Sequence, residues 1–100
     1  MNSTILSGEL GIKPETRFVS DGTKPITTSF LIFTNFKGQP ERMKIVAWGK
    51  QCEELQKYQQ GTMVIVEGRY KVTEIQKEGY KEQALELNIS KIHDLSGVNT

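Results

Sequence analysis

Lys44-Ile-Val-Ala-Trp-Gly-Lys50 carries β-branched residues, the one tryptophan of the chain and a cation at each end. Successive side chains of an extended strand point to opposite faces. Met43, Ile45 and Ala47 therefore form a small apolar set suited to a core, while Arg42, Lys44, Val46 and Trp48 form the other face. Two readings of that second face are open. A flat aromatic between cations on an open sheet suits stacking on a nucleobase with phosphates alongside. Alternatively the indole fills a core and the cations lie on a solvated edge. The strand pattern by itself leans slightly to the second.

Upstream, Ile26 to Asn35 is dense in Thr, Ile and Phe, the composition of a strand. Phe30 and Ile32 fall on one face, Leu31 and Phe33 on the other. Both faces are apolar, so the strand is either buried on both sides or offers one side to a partner. Phe36-Lys37-Gly38-Gln39-Pro40 follows as a loop. Ser20 to Pro25 has the composition of a turn. Thr4 to Leu10 reads as a strand interrupted at Gly8, because glycine within a strand usually marks a bulge or bend. Extended structure resumes at Arg17-Phe18-Val19 after the break at Lys13-Pro14.

Downstream the period changes. Cys52, Leu55 and Tyr58 recur at helical spacing among Gln, Glu and Lys, and Gly61 follows as a stop. The spacing predicts a helix of about three turns over Lys50 to Gln60. Met63 to Thr73 alternates again, with Val64, Val66, Gly68, Tyr70 and Val72 inward. Arg69 and Lys71 share the outward face with Met63, Ile65, Glu67 and Thr73, a face for solvent or a ligand. Glu74 to Glu82 reads as a charged loop in a long hairpin. Ala84 to Ile92 is the last strand, with Leu85, Leu87 and Ile89 inward, and residues 96–100 are expected to form a short mobile tail.

One hundred residues suffice for one domain, expected over residues 1–95. With 25% charged and 36% hydrophobic residues, the composition is that of a folded soluble domain rather than a disordered chain. The formal net charge of +1 is too small to argue for nucleic acid, so such a case must rest on where the cations sit. A single cysteine, Cys52, excludes an internal disulfide and fits a reducing compartment. No apolar run approaches the roughly 20 residues of a membrane span, and the N-terminus lacks the pattern of a signal peptide.

Catalytic chemistry finds no foothold. His93 and Cys52 do not make a zinc set, and His93 beside Asp94 suits a strand exit better than a hydrolytic triad. No phosphate-binding glycine loop occurs. The adjacent Glu53 and Glu54 diverge on a helix, where they favour its positive N-terminal end. No metal and no cofactor are expected, and an enzyme is not.

Strand, strand, strand, helix, strand, strand is the order of the OB-fold, an all-β, five-stranded Greek-key barrel with one helix between strands 3 and 4. Its open sheet face and loops bind oligonucleotides or oligosaccharides. Several pieces of sequence then resemble one family, the bacterial single-stranded DNA-binding proteins. Asn2-Ser-Thr-Ile-Leu-Ser-Gly8-Glu-Leu10 is similar to their opening strand, and Lys13-Pro14-Glu15-Thr16-Arg17-Phe18 to their Asp-Pro-Glu-x-Arg-Tyr. Ile45-Val-Ala-Trp-Gly-Lys50 resembles their strand before the helix. Tyr58-Gln-Gln-Gly61 and Val64-Ile-Val-Glu-Gly-Arg-Tyr70 resemble their Tyr-Leu-Lys-Lys-Gly and Val-x-Val-Glu-Gly-Arg-Leu.

The resemblance implies a cytoplasmic, nucleoid-associated protein that forms a homo-oligomer, a tetramer rather than a dimer. It implies binding of single-stranded DNA without sequence preference, in replication, recombination and repair, beside other proteins of those processes. Carried over by position, Trp48 is a stacking aromatic, Lys44 and Lys50 are phosphate contacts, and Arg17 and Lys71 are basic positions of the first and fourth strands. Arg42 adds a cation where many members stack a base. Phe33 is open between stacking and a subunit interface, and Phe36 between anchoring its loop and meeting bases.

Departures accompany the likeness. Besides Arg42, Ile75 stands at a second stacking position, Phe36 replaces a tryptophan displaced by a residue or two, and Glu9 replaces a frequent arginine. The family's flexible linker and acidic tail have no counterpart, as in an isolated core domain or a short paralogue. With fewer aromatic platforms, each worth roughly 1–3 kcal/mol, binding is expected to be weaker and more salt-sensitive than in a full member. The alternative function is an OB-fold module that docks protein, as a primosome accessory subunit does, with weak or no DNA binding.

Overall fold

The computed structural model describes residues 3–19 and 21–95, so the expected tail at 96–100 lies outside the described residues. The elements are β1 (Thr4–Leu10), β2 (Glu15–Val19), β3 (Lys24–Thr34), β4 (Pro40–Trp48), α1 (Gln51–Gln56), β5 (Met63–Lys77) and β6 (Tyr80–Asp94). They form one sheet in the order β1-β5-β6-β4-β3-β2. A second pairing, of Glu9 and Leu10 in β1 with Ile32 and Leu31 in β3, closes five strands into a barrel. β2 stays outside that ring as the partner of β3 alone. With β1 and β2 counted as the two halves of one broken strand, this is the five-stranded OB-fold with its helix between the third and fourth strands.

Closure depends on two glycines. Gly8 does not interrupt β1, whose register with β5 runs unbroken from Thr4 to Glu9. Its role is close approach: a Cβ there would lie 2.4 Å from the Ile32 carbonyl oxygen of β3. The bulge falls instead opposite Glu67 and Gly68, where the β5–β6 register slips by one residue. An inserted residue sharpens local twist, and a small barrel needs that twist to curl shut.

The interior collects Leu10, Leu31, Ile45, Ala47, Leu55, Val64, Val66, Leu87, Ile89 and Ile92, all buried. A fully buried aliphatic side chain contributes about 1.5–3 kcal/mol. The inward prediction for β5 and β6 fails at one end: Val72 and Leu85 are 59% and 43% exposed. They pair across the two strands, yet β4 meets β6 only from Glu86 to Asn88. Beyond Glu86 the hairpin projects past the barrel as a two-stranded arm with which, among the described residues, no third strand pairs. The predicted loop over Glu74 to Glu82 is accordingly mostly strand, with the turn confined to Glu78 and Gly79.

The helix is also shorter than its spacing predicts. Only Cys52 and Leu55 are fully buried on it, so the core rewards little more than one turn. Past Lys57 the chain must return to start β5, held by bonds between Leu10 and both Gly61 and Thr62. Tyr58 still packs against the core. Burial, then the Asp94 and Glu54 carboxylates, push its phenol above the usual tyrosine range, so it stays neutral near pH 7. Cys52 donates to the Ala47 carbonyl at 3.2 Å, tying the helix to the end of β4. Gln56 reaches Thr16 and Thr27, so the buried Thr27 hydroxyl is not left without a partner.

Candidate nucleic-acid interface

β4 alternates as its sequence requires. Ile45 and Ala47 are buried in the barrel, with Met43 packed against it, and Arg42, Lys44, Val46 and Trp48 face outward. Paired residues on neighbouring strands share a face, so the register extends this outer surface row by row. One row is Arg17, Ile26 and Trp48. The next is Glu15, Thr28, Val46, Asn88 and Arg69. A third is Phe30, Lys44, Glu86 and Lys71, and Ile32 pairs with Arg42 beyond it. Five cations from three strands, β2, β4 and β5, thus share one face although the whole chain is nearly neutral. Trp48, 46% exposed, stands in the end row of this face.

Three contacts shape the face. The Trp48 indole Nε1 donates to Asn88 Oδ1 at 3.1 Å. The Arg42 guanidinium lies 5.0 Å from the centre of the Phe30 ring, within the range of a cation–π contact. Lys44 Nζ is 3.6 Å from a Glu86 carboxylate oxygen. Beside Arg42 an open hollow of about 360 Å³ is bordered by Ile32, Pro40 and Glu41. A planar guanidinium on an aromatic ring is itself a flat surface on which a base can stack.

Of the residues singled out in the sequence, Trp48, Lys44, Arg42, Arg17, Arg69 and Lys71 come together here. Lys50 is exposed just past the end of β4. Two others lie elsewhere. Phe33 points to the opposite side from Trp48, into an open hollow of about 400 Å³ bordered by Ser7, Gly8, Glu9 and Met63. Phe36 does not anchor its loop: it is 94% exposed, with Lys37 5.8 Å from its ring centre. The loop holds itself together through Asn35 Oδ1, which accepts from the backbone N–H of Lys37 and of Gln39. It lies at the far end of β4 from Trp48, about 27 Å along the strand.

Phe30 and Asn88 were not read from the sequence. Phe30 needed only the β3–β4 register, which sets it opposite Lys44 rather than in the core. Asn88 carries no local signal, since a parallel pairing brings it to Trp48 from 40 residues away.

An OB-fold barrel with an aromatic and cationic outer sheet face defines an oligonucleotide-binding class of domain. The chain belongs to the single-strand binding protein family, whose sequence model matches residues 1–95. It is also similar to the crystal structure of the SSB domain of a protein from Synechococcus sp., with a TM-score of 0.77 and 30% identity, over 93% of this chain and 94% of that one. No curated protein sequence matches it. Among the described residues, no helix is long and apolar enough to cross a membrane.

Proposed function

We propose that this domain binds single-stranded DNA without sequence preference, and so protects it during replication, recombination and repair. The observation that carries this reading is the half-exposed Trp48, which shares a row of the outer sheet face with Arg17 and lies two rows from Lys44. An indole face accepts any base, and the flanking cations meet the phosphates that run beside it. Such a surface demands unstacked bases, which a duplex does not offer. Labelled oligo-dT should therefore bind at low salt and resist competition by a duplex of equal length. Equal competition by the duplex would reduce the face to a general polyanion site.

Glu86 opposes this role in a measurable way. Phosphate must compete with its carboxylate for Lys44. A partly exposed pair at this distance is worth about 1 kcal/mol. Glu86→Gln is therefore expected to tighten oligo-dT binding by up to about fivefold, and to steepen the log-affinity against log-salt slope by about 0.7. Weaker binding in that variant would show that Glu86 orders the face rather than competing on it.

The assembly proposed is a homo-oligomer, a tetramer rather than a dimer. Its support is the free edge of β1, which pairs with β3 only at Glu9 and Leu10, and the exposed Ile5 and Met63 nearby. An unpaired edge strand is a template for a second chain. The protein-docking alternative has one support, the uncovered Val72 and Leu85 on the β5–β6 arm. Absence of oligo-dT binding at any salt would favour it.

A further inference from the structure

Trp48 leaves β4 on the outer face, yet its indole reaches sideways to a residue of β6. The register sets Asn88 beside Val46, two positions back along β4 from Trp48. The ring must therefore slant back along its own strand and across to the next one. Val46 has the outward parity of Trp48 on β4 and is not part of the main core cluster, yet it is buried, only 1% exposed. A side chain under the slanting ring would be covered in this way, while the ring's upper face stays open. Asn88 is itself a fixed post: its backbone pairs with Val46 on one side and Arg69 on the other.

We infer that Asn88 is a positioning residue for the Trp48 platform, its side-chain oxygen holding the indole flat against the sheet before any base arrives. The inference rests on the single-stranded DNA reading above. A tryptophan at the exposed end of a strand samples several rotamers, and freezing them on binding weakens affinity. Tying the N–H beforehand removes that loss. It also turns the ring edge inward, so that a base meets a face rather than an edge.

A double-mutant cycle with Trp48→Phe tests the tie, because phenylalanine has no N–H for Asn88 to hold. Labelled oligo-dT is titrated at low salt against wild type, Asn88→Ala, Trp48→Phe and the double variant. Asn88→Ala should weaken binding roughly two- to tenfold in the Trp48 background, and leave it unchanged in the Trp48→Phe background. In the free Asn88→Ala protein, Trp48 emission anisotropy should fall and acrylamide quenching rise, with the denaturation midpoint separating a loosened ring from a loosened barrel. Equal losses in both backgrounds would overturn the inference, since Asn88 would then act on the DNA itself. No loss in either, with unchanged anisotropy, would overturn it too. Failure of the wild type to bind oligo-dT would overturn the role in DNA binding. A drop in anisotropy in that case would place the fault in the DNA reading and not in the tie.

Discussion

Trp48→Ala is expected to weaken oligo-dT binding by about 5- to 150-fold, the equivalent of the roughly 1–3 kcal/mol that one stacked base contributes. Among the described residues of the face, the one other aromatic is Phe30, which is shared with Arg42; the remaining outward groups have no ring. The barrel should survive the change. Trp48 is half-exposed and lies outside the buried core, so its loss opens no interior cavity. Binding measured by anisotropy of a labelled oligonucleotide, beside a denaturant midpoint, separates the two effects. An affinity within twofold of wild type would mean that the indole is no platform and that phosphate contacts carry the binding.

Gly68→Ala is expected to be the most damaging single substitution for the fold. A Cβ at this position would sit 2.0 Å from the Asn88 carbonyl oxygen and 2.8 Å from its carbon. Both are backbone atoms of the adjacent strand, so no side chain can swing aside. β6 would have to move away from β5 beside the bulge that helps curl the barrel. A cost of about 3 kcal/mol or more follows from overpacking of this kind, against a total stability of about 5–15 kcal/mol for a domain. Chemical denaturation reads it directly. The same displacement would shift Asn88, and with it the partner of Trp48. DNA affinity should therefore fall in Gly68→Ala even under conditions where the variant stays folded. A denaturation midpoint unchanged from wild type would contradict the closure described for this barrel.

The strand order, the helix and the basic aromatic face were legible because each rests on local alternation. Period two in Arg42–Trp48 put the indole and two cations on one side, and the register confirms that grouping. What was not legible depends on which strands meet and for how long. Val72 and Leu85 continue the inward alternation of their strands, yet the barrel ends before they do. Phe33 has the composition of a stacking residue but the parity of the core, whereas Phe30 has the right parity and was passed over. The helix pattern ran on to Tyr58, although the chain had already to turn back toward β5. Asn88 lay beyond sequence reasoning, because only the β4–β6 parallel pairing makes it a neighbour of Trp48.

The central claim, that one bare indole on a cationic sheet face receives the bases of unpaired DNA, is tested most directly by the emission of Trp48 itself. It is the only tryptophan, so its signal reports a single site. Titration with oligo-dT at low salt should quench the emission to saturation. The derived affinity should fall linearly with salt on logarithmic axes, since each phosphate contact releases counterions. Emission that stays constant at the lowest salt, while the oligonucleotide is seen to bind by its own label, would place the bases elsewhere and contradict the claim.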